Sequence, residues 1–346
     1  MEADDRQLLL GDLGEQELLQ RIRPWCLPGM VGDDGALVMP DPGQAVVVTT
    51  DCLVEGVHFS PRTTPPRSVG WRSAAANLSD LAAMGALPLG ITVALALPPQ
   101  TPWAWIEALY GGMMDCCQQF GTGIVGGDLC RSPHPSLSIT ALGQVPPALA
   151  LRRTAQAGDA ILVTGYHGAS RAGLALLLHP QDLPPAPPGR AQEWIRAHQY
   201  PQPRLDWVPL LRQVQGDLAL GDRPLGAMDS SDGLGDAVLQ LCRAGGVGAC
   251  LQGGDLPLPP GLADWVGLER ALEWCLYGGE DFELVLTVPP QGVDRVQAWG
   301  AAQGKPVYRV GTIVPEPGVI LQDAQGRGSS QSLSLGSGFQ HFSASV

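Results

Sequence analysis

Six short stretches of the chain pair an acid with glycine or hydroxyl residues. They are GDDGA (Asp33, Asp34), TTD (Thr49, Thr50, Asp51), NLSD (Asp80), GGD (Gly126, Gly127, Asp128), DSSDG (Asp229 to Gly233) and GGED (Glu280, Asp281). Carboxylates and hydroxyls are hard oxygen donors suited to Mg2+, and glycine lets the backbone approach an anion closely. Mg2+ bridges phosphate oxygens, so an acidic site of this kind holds a polyanion without many cationic side chains. Each stretch alone reads equally as turn chemistry, because acid-glycine pairs build turns. Recurrence of one pattern six times is what points to a shared site. Asp80 is the sharpest single case. It is the one charge within SAAANLSDLAAMGALPLGI, residues 73–91, where a bare carboxylate is costly unless a cation meets it.

Composition narrows the chemistry. Among 346 residues there are 34 acids and 21 bases, a formal net charge of −13 that argues against nucleic acid or an anionic membrane as a partner. Lys305 is the only lysine, and it precedes Pro306, so no phosphate-binding loop with Lys before Ser or Thr is present. The same residue lies in a polar QGKPV turn, which argues against a Schiff-base lysine. Six histidines show no HxH or HExxH spacing, which argues against zinc, and no Ser-His-Asp or Cys-His arrangement follows from spacing. Eight cysteines lack CxxC spacing, and the opening MEADDRQLLLGDLGEQELL lacks the regions of a secretory signal. A cytoplasmic protein with reduced thiols is therefore expected. The charge-free run between Asp80 and Glu107 is broken by Pro88, Pro98, Pro99 and Pro102, so it reads as helix end, buried strand and loop and not as a membrane span.

The elements that must carry these residues alternate between strand and helix. QAVVVTT (44–50) is a β-branched strand, residues 66–85 a helix carrying Asp80, and LGITVALAL a second strand. TPWAWIEALYGGMMDCCQQF reads as a helix with Thr101 as N-cap, and SLSITALGQV closes the first half as a strand. VPPALALRRTAQAGD reads as the crossing between two domains, 1–150 and 151–346, both mixed α/β. In the second half strands are expected at AILVTG, LGAMD, GACLQ, FELVLTV and VYRVGTIV, with helices at ASRAGLALLL, LDWVPLLRQV, GDAVLQLC, LERALEWCL and DRVQAWGAAQ. DLPPAPPG (182–189) reads as a proline-rich surface loop without chemistry. Ser230 and Ser231 are placed to cap a helix whose first turn holds Asp232, a plausible anion seat or an ordinary cap. VTGYHGASRAG lacks GxGxxG and reads better as a structural turn than as a phosphate cradle.

Read in order, GDDGA, TTDCLVEGVHF, NLSDLAAMGA, GGD, DSSDGL, GGEDFEL and the terminal GFQHF resemble the thiamine-monophosphate kinase family, from about Gly32 to Phe342. That family belongs to a superfamily with aminoimidazole ribonucleotide synthetase and selenophosphate synthetase. NLSDLAAMGA and GGED recur across the superfamily, whereas TTDCLVEGVHF and GFQHF are the narrower signals. The resemblance implies a two-domain aminoimidazole ribonucleotide synthetase-like fold with mixed sheets, whose N-terminal domains pair in a homodimer. It implies ATP- and Mg2+-dependent phosphorylation of thiamine phosphate to thiamine diphosphate. By motif, Asp34, Thr49, Thr50, Asp51, Asp80, Asp128, Asp229 and Asp232 would be Mg2+ ligands, with Gly127, Asp128 and Ser231 on ATP. His58, Glu280 and Phe339 would hold the thiamine phosphate. RRTAQAGD is one residue shorter than the family's arginine run and carries Thr154 for its serine, so Arg152 and Arg153 are both candidates for an ATP contact. No general base is implied, since the acceptor phosphate is already anionic at neutral pH. Rival readings are another ATP-using member of the superfamily, a metal-dependent phosphohydrolase, and a non-catalytic divalent-cation binder.

Overall fold

The computed structural model describes residues 8–218, 223–323 and 330–338 and divides the chain into two compact units, Met1–Leu81 with Ala86–Pro146, and Ala82–Gly85 with Pro147–Val346. The first unit contains α1 (Leu10–Leu13), α2 (Glu15–Ile22), β1 (Ala45–Val54), most of α3 (Pro66–Ala83), β2 (Leu87–Leu97), α4 (Trp103–Gln119), β3 (Ile124–Arg131) and β4 (Ser136–Val145). Its sheet runs β1-β4-β2-β3, with β2 and β3 parallel and the other neighbours antiparallel. Strict alternation along β1 and β4 separates two faces. Ile91, Val93, Leu95, Leu137, Ile139 and Ala141 are buried, whereas Val46 (50% exposed) and Val48 (61%) stand on the other face of β1. Two glycines let α3 and α4 meet backbone to backbone. A Cβ on Gly70 would lie 1.9 Å from Leu109 O, and one on Gly112 would lie 1.7 Å from Arg67 O.

Two local expectations change. Thr101 is not the cap of α4: Pro102 holds that position with no side-chain bond, and Trp103 N–H donates to Leu8 O at 2.7 Å. The segment before α1 thus satisfies a donor that a threonine hydroxyl was expected to take. GGD lies inside β3 and not at a strand end or turn, because parallel pairing with β2 carries the strand through both glycines. The run from Asp80 to Glu107 is divided as expected into the end of α3, β2, a loop and the start of α4, and no described helix is long and apolar enough to cross a membrane.

The second unit contains β5 (Ala160–Thr164), α5 (Ala169–Leu178), α6 (Arg190–Gln199), α7 (Val208–Asp217), β6 (Gly226–Asp229), α8 (Leu234–Gly245), β7 (Gly248–Gln252), α9 (Leu262–Val266), α10 (Leu268–Tyr277), β8 (Leu284–Val288), α11 (Pro290–Ala302), β9 (Val307–Val314), β10 (Gly318–Gln322) and β11 (Ser330–Ser332). Its described sheet runs β11-β10-β7-β9-β5-β8-β6 and is mostly antiparallel, with β10 and β7 parallel. β5, β6 and β8 are buried along their whole length, so their near-continuous apolar runs report burial on both faces. One core gathers Leu234, Val238 and Leu241 of α8 against Ile161, Val163, Val285 and Val310 of the sheet. A second core packs α5, α6, α9 and α10 around three tryptophans. Trp194 stacks on Trp265 with centroids 4.9 Å apart, and Trp274 meets Trp265 edge-on at 6.1 Å. Pro184, in the proline-rich loop, accepts the Trp265 indole N–H at 2.8 Å, so that loop serves this core.

Candidate active site

In the first unit a group forms where α3 meets the sheet edge. β1 is an edge strand, so alternate backbone N–H groups lack a strand partner. Asn77 on α3 takes one of them, accepting the Asp51 N–H at 3.1 Å. Asp80 lies three residues further along α3, on the same helix face, and accepts a hydrogen bond from the Thr49 hydroxyl. The Thr50 side chain points the other way, to Ile139 O at 2.9 Å and Thr140 Oγ1 at 3.0 Å. The pleat forces this division between neighbours.

The same pleat separates the acids of β1 from that of β3. Asp51 pairs with Ile139, Ile139 with Val93, and Val93 with Gly127, so Gly127 shares the row of Asp51. Asp128 is one residue on and pairs with Ala94, on the opposite face of the sheet. Within one chain, then, Asp128 does not join Asp51 and Asp80. Asp34 is exposed in the loop between α2 and β1. His58 sits in the turn after β1, where its Nδ1 accepts the Val54 N–H at 3.1 Å.

In the second unit the DSSD and GGED stretches are bonded into one structure. Ser230 N–H donates to Glu283 O at 2.9 Å, and Glu283 N–H donates to Ser230 Oγ at 3.1 Å. Glu280 N–H donates to Ser231 O at 2.7 Å, while the Ser231 hydroxyl donates to Asp229 Oδ1 at 3.2 Å. Gly279 is required at this seam: its φ is +66°, and a Cβ there would lie 2.7 Å from Ser231 O. Neither serine caps α8. The helix begins at Leu234 behind Gly233, and Asp232 precedes it, exposed. The expected cap fails because the Ser230 hydroxyl is taken by the Glu283 N–H and the Ser231 hydroxyl by Asp229. Arg152 donates to Leu151 O at 3.0 Å, Arg153 to Gln240 Oε1 at 2.6 Å, and Phe339 lies outside the described residues.

Behind this seam lies a buried polar layer whose partners local patterns did not reveal. Glu280 and Phe282 carry φ of +59° and +52°, the described non-glycine residues in the left-handed region. Such conformations cost about 1–3 kcal/mol each and persist only where surrounding structure holds them. Here the intervening Asp281 accepts Gly168 N–H at 2.7 Å and Ser170 N–H at 2.9 Å, at the start of α5. That occupies the α5 N-terminus, in accord with reading VTGYHG as a structural turn. Arg204 donates from Nε to Glu283 Oε2 at 2.6 Å and from Nη2 to Oε1, and the Thr164 hydroxyl joins Oε2 at 2.6 Å. Asp281 and Phe282 lie within a stretch whose acids were quoted, but only Glu280 was taken from it as a site residue.

Two buried groups here titrate in opposite senses. Burial pushes the Asp281 carboxyl up to about 7, against its two backbone N–H bonds. Burial pushes His167 down to about 4, and neither ring nitrogen has a hydrogen-bond partner among the described residues. Folded Asp281 thus holds a proton that the unfolded chain, titrating at 3.8, has lost, and its stabilising contribution fades as pH rises from about 4 to 7. His167 is charged only in the unfolded chain between its ordinary 6.5 and about 4, so its contribution fades as pH falls through that window. The two slopes oppose each other. Asp281→Asn should therefore make the melting temperature climb more steeply between pH 4.5 and 6 than in the parent protein; matching slopes in thermal scans would refute this assignment.

Among the described residues no group of three or more His, Cys, Asp or Glu side chains forms a preassembled metal cage. The oxygen donors present still suit Mg2+, which is usually held by one or two carboxylates with the rest of its shell from substrate phosphates and water.

The descriptions "AIR synthase related protein, N-terminal domain" and "AIR synthase related protein, C-terminal domain" match residues 32–145 and 156–324. A thiamine-monophosphate kinase of Synechococcus elongatus is 48% identical over 334 residues, spanning 96% of this chain and 98% of that protein. The crystal structure of thiamine-monophosphate kinase from Stenotrophomonas maltophilia superposes with a TM-score of 0.77 at 34% identity, covering 90% of this chain and 96% of the other. AaThiL complexed with AMPPCP and TMP superposes with a TM-score of 0.69 at 29% identity, covering 93% and 96%.

Proposed function

This chain belongs to the thiamine-monophosphate kinase family and is a kinase, and from that membership we propose that it transfers the γ-phosphoryl group of ATP directly to thiamine phosphate, yielding thiamine diphosphate. The observation that carries the substrate pair is the likeness to AaThiL complexed with AMPPCP and TMP along 93% of this chain. AMPPCP is an ATP analogue, and TMP is read here as thiamine monophosphate.

Mg2+ would be held by Asp34, Thr49, Asp51 and Asp80 in the first unit and by Asp229 and Asp232 in the second, while Thr50 and Asp128, on the other face of the first unit's sheet, would serve as ligands from the second copy of the proposed dimer. Bound there, it would neutralise charge on the phosphates. The chain's own residues do the rest by positioning. Thr49 and Asn77 hold Asp80 and the Asp51 backbone in place beside α3. Gly127, Asp128, Ser231 and one of Arg152 and Arg153 contact ATP. His58, Glu280 and Phe339 hold the acceptor, with Glu280 fixed by the seam of DSSD and GGED. The acceptor phosphate oxygen is anionic at neutral pH, so attack needs alignment and not a strong base.

The N-terminal units are proposed to pair in a homodimer through the β1 face on which Val46 and Val48 stand exposed. Such pairing would also give Asp128, on that face, a neighbour from the second copy. The protein is proposed to act in the cytoplasm. One sample tests the whole reading. Incubation with ATP, Mg2+ and thiamine phosphate should yield thiamine diphosphate by chromatography, EDTA should stop it, and sedimentation velocity should give a dimer. Release of free phosphate without diphosphate, or an inert mixture, refutes the reaction; a monomer refutes the pairing.

A further inference from the structure

We propose that His198 is the positioning residue that sets the Glu280 carboxylate for the acceptor, and this rests on the acceptor role proposed above for Glu280. Glu280 is itself in the left-handed region with φ +59°, so its backbone is fixed by the surrounding structure. Its carboxylate is 30% exposed and stands 3.4 Å, through Oε2, from Nδ1 of His198, whose own side chain is 2% exposed. The half-open acid therefore has one oxygen beside a buried ring while part of its side chain stays exposed.

Under this proposal the ring proton sits on Nδ1, since a carboxylate only accepts. Ser170 Oγ, 3.2 Å from the same Nδ1, then shares that hydrogen as a second acceptor. Ser170 is itself pinned, because its N–H donates to Asp281 at 2.9 Å, next in sequence to Glu280. The result is a closed ring of constraints from Glu280 to His198, to Ser170, to Asp281 and back. The tryptophan core fixes the far side: Trp194, one turn before His198 on α6, stacks on Trp265 at 4.9 Å. His198 is thus held on rigid packing and transmits that rigidity to the partly exposed Glu280 carboxylate. No proton transfer is asked of it.

The proposal separates from a purely structural role in steady-state kinetics of the full-length protein. His198→Leu keeps the volume and removes the donor; His198→Asn keeps a donor near Nδ1; His198→Gln keeps polarity but carries its amide one bond too far. For His198→Leu and His198→Gln, KM for thiamine phosphate should rise about tenfold, with kcat and KM for ATP within about twofold. His198→Asn should stay within about threefold of the parent. Added to Glu280→Gln, His198→Leu should cost little more, since the partner is already altered. Should His198→Leu fail to fold, the contrast between Asn and Gln decides the matter alone. Unchanged acceptor KM in the variants, an equal rise in KM for ATP, or full additivity with Glu280→Gln overturns the positioning role and leaves the kinase reading standing. A parent protein that does not phosphorylate thiamine phosphate overturns both.

Discussion

Asp80→Asn should lower the rate of thiamine diphosphate formation by at least about a hundredfold, while leaving the melting temperature within a degree or two. The two halves of that expectation come from different properties of one carboxylate. As an acceptor, Asp80 receives the Thr49 hydroxyl, and an asparagine oxygen can do the same, so the contact between α3 and β1 survives. As a charge, it is the only one after Arg72 in α3, where Mg2+ and phosphates are proposed to gather, and an amide cannot supply that charge. The pairing of outcomes is the test. Near-normal turnover would mean that Asp80 serves only as the partner of Thr49, and a large drop in melting temperature would mean that the substitution reports on folding. Thr49→Val is the complementary change: it removes the hydroxyl and keeps the charge, so its effect on rate should be clearly smaller.

The second large effect is on stability. Arg204→Leu should cost about 3–5 kcal/mol in urea unfolding, because it leaves Glu283 buried without its cation. Glu283 is 5% exposed and holds three donors, two from Arg204 and one from Thr164, at the point where β8 leaves the GGED seam. Removing both charges together, as Arg204→Leu with Glu283→Leu, should recover part of the loss, since an apolar pair avoids the isolated buried carboxylate. A single-variant cost under about 1 kcal/mol would show the pair to be solvated enough to behave as a surface bridge. Wild-type unfolding in urea supplies the reference, provided both variants share its m-value.

How much of this was legible in the sequence differs from residue to residue. Asp80 declared itself by contrast with its neighbours. The strand and helix runs fell where periodicity placed them, and ASRAGLALLL is α5 to the residue. Asn77 was within reach as well, three positions before Asp80 on the same helix face, but its value depends on an edge strand whose N–H needs a partner. Thr49 and Thr50 were grouped together from TTD, yet the pleat sends their hydroxyls to opposite faces. Glycine and aspartate place GGD at a strand end or turn, and pairing with β2 overrides that preference and carries it into the middle of β3.

The buried layer behind Glu280 had no local signature. Arg204 and Glu283 are 79 residues apart, and Ser170 and Asp281 are 111 apart. Nothing in the immediate neighbourhood of any of them distinguishes a clamp from a solvated polar residue. Short stretches carried the element types, the acid-bearing motifs and the absence of a Lys-Ser or Lys-Thr phosphate loop, because steric period, turn chemistry and charge type act over a few residues. Partner choice among distant polar groups, and which side of a sheet each acid occupies, emerged only on folding. Those outcomes depend on register and on burying charges in pairs, and both are properties of the packed chain as a whole.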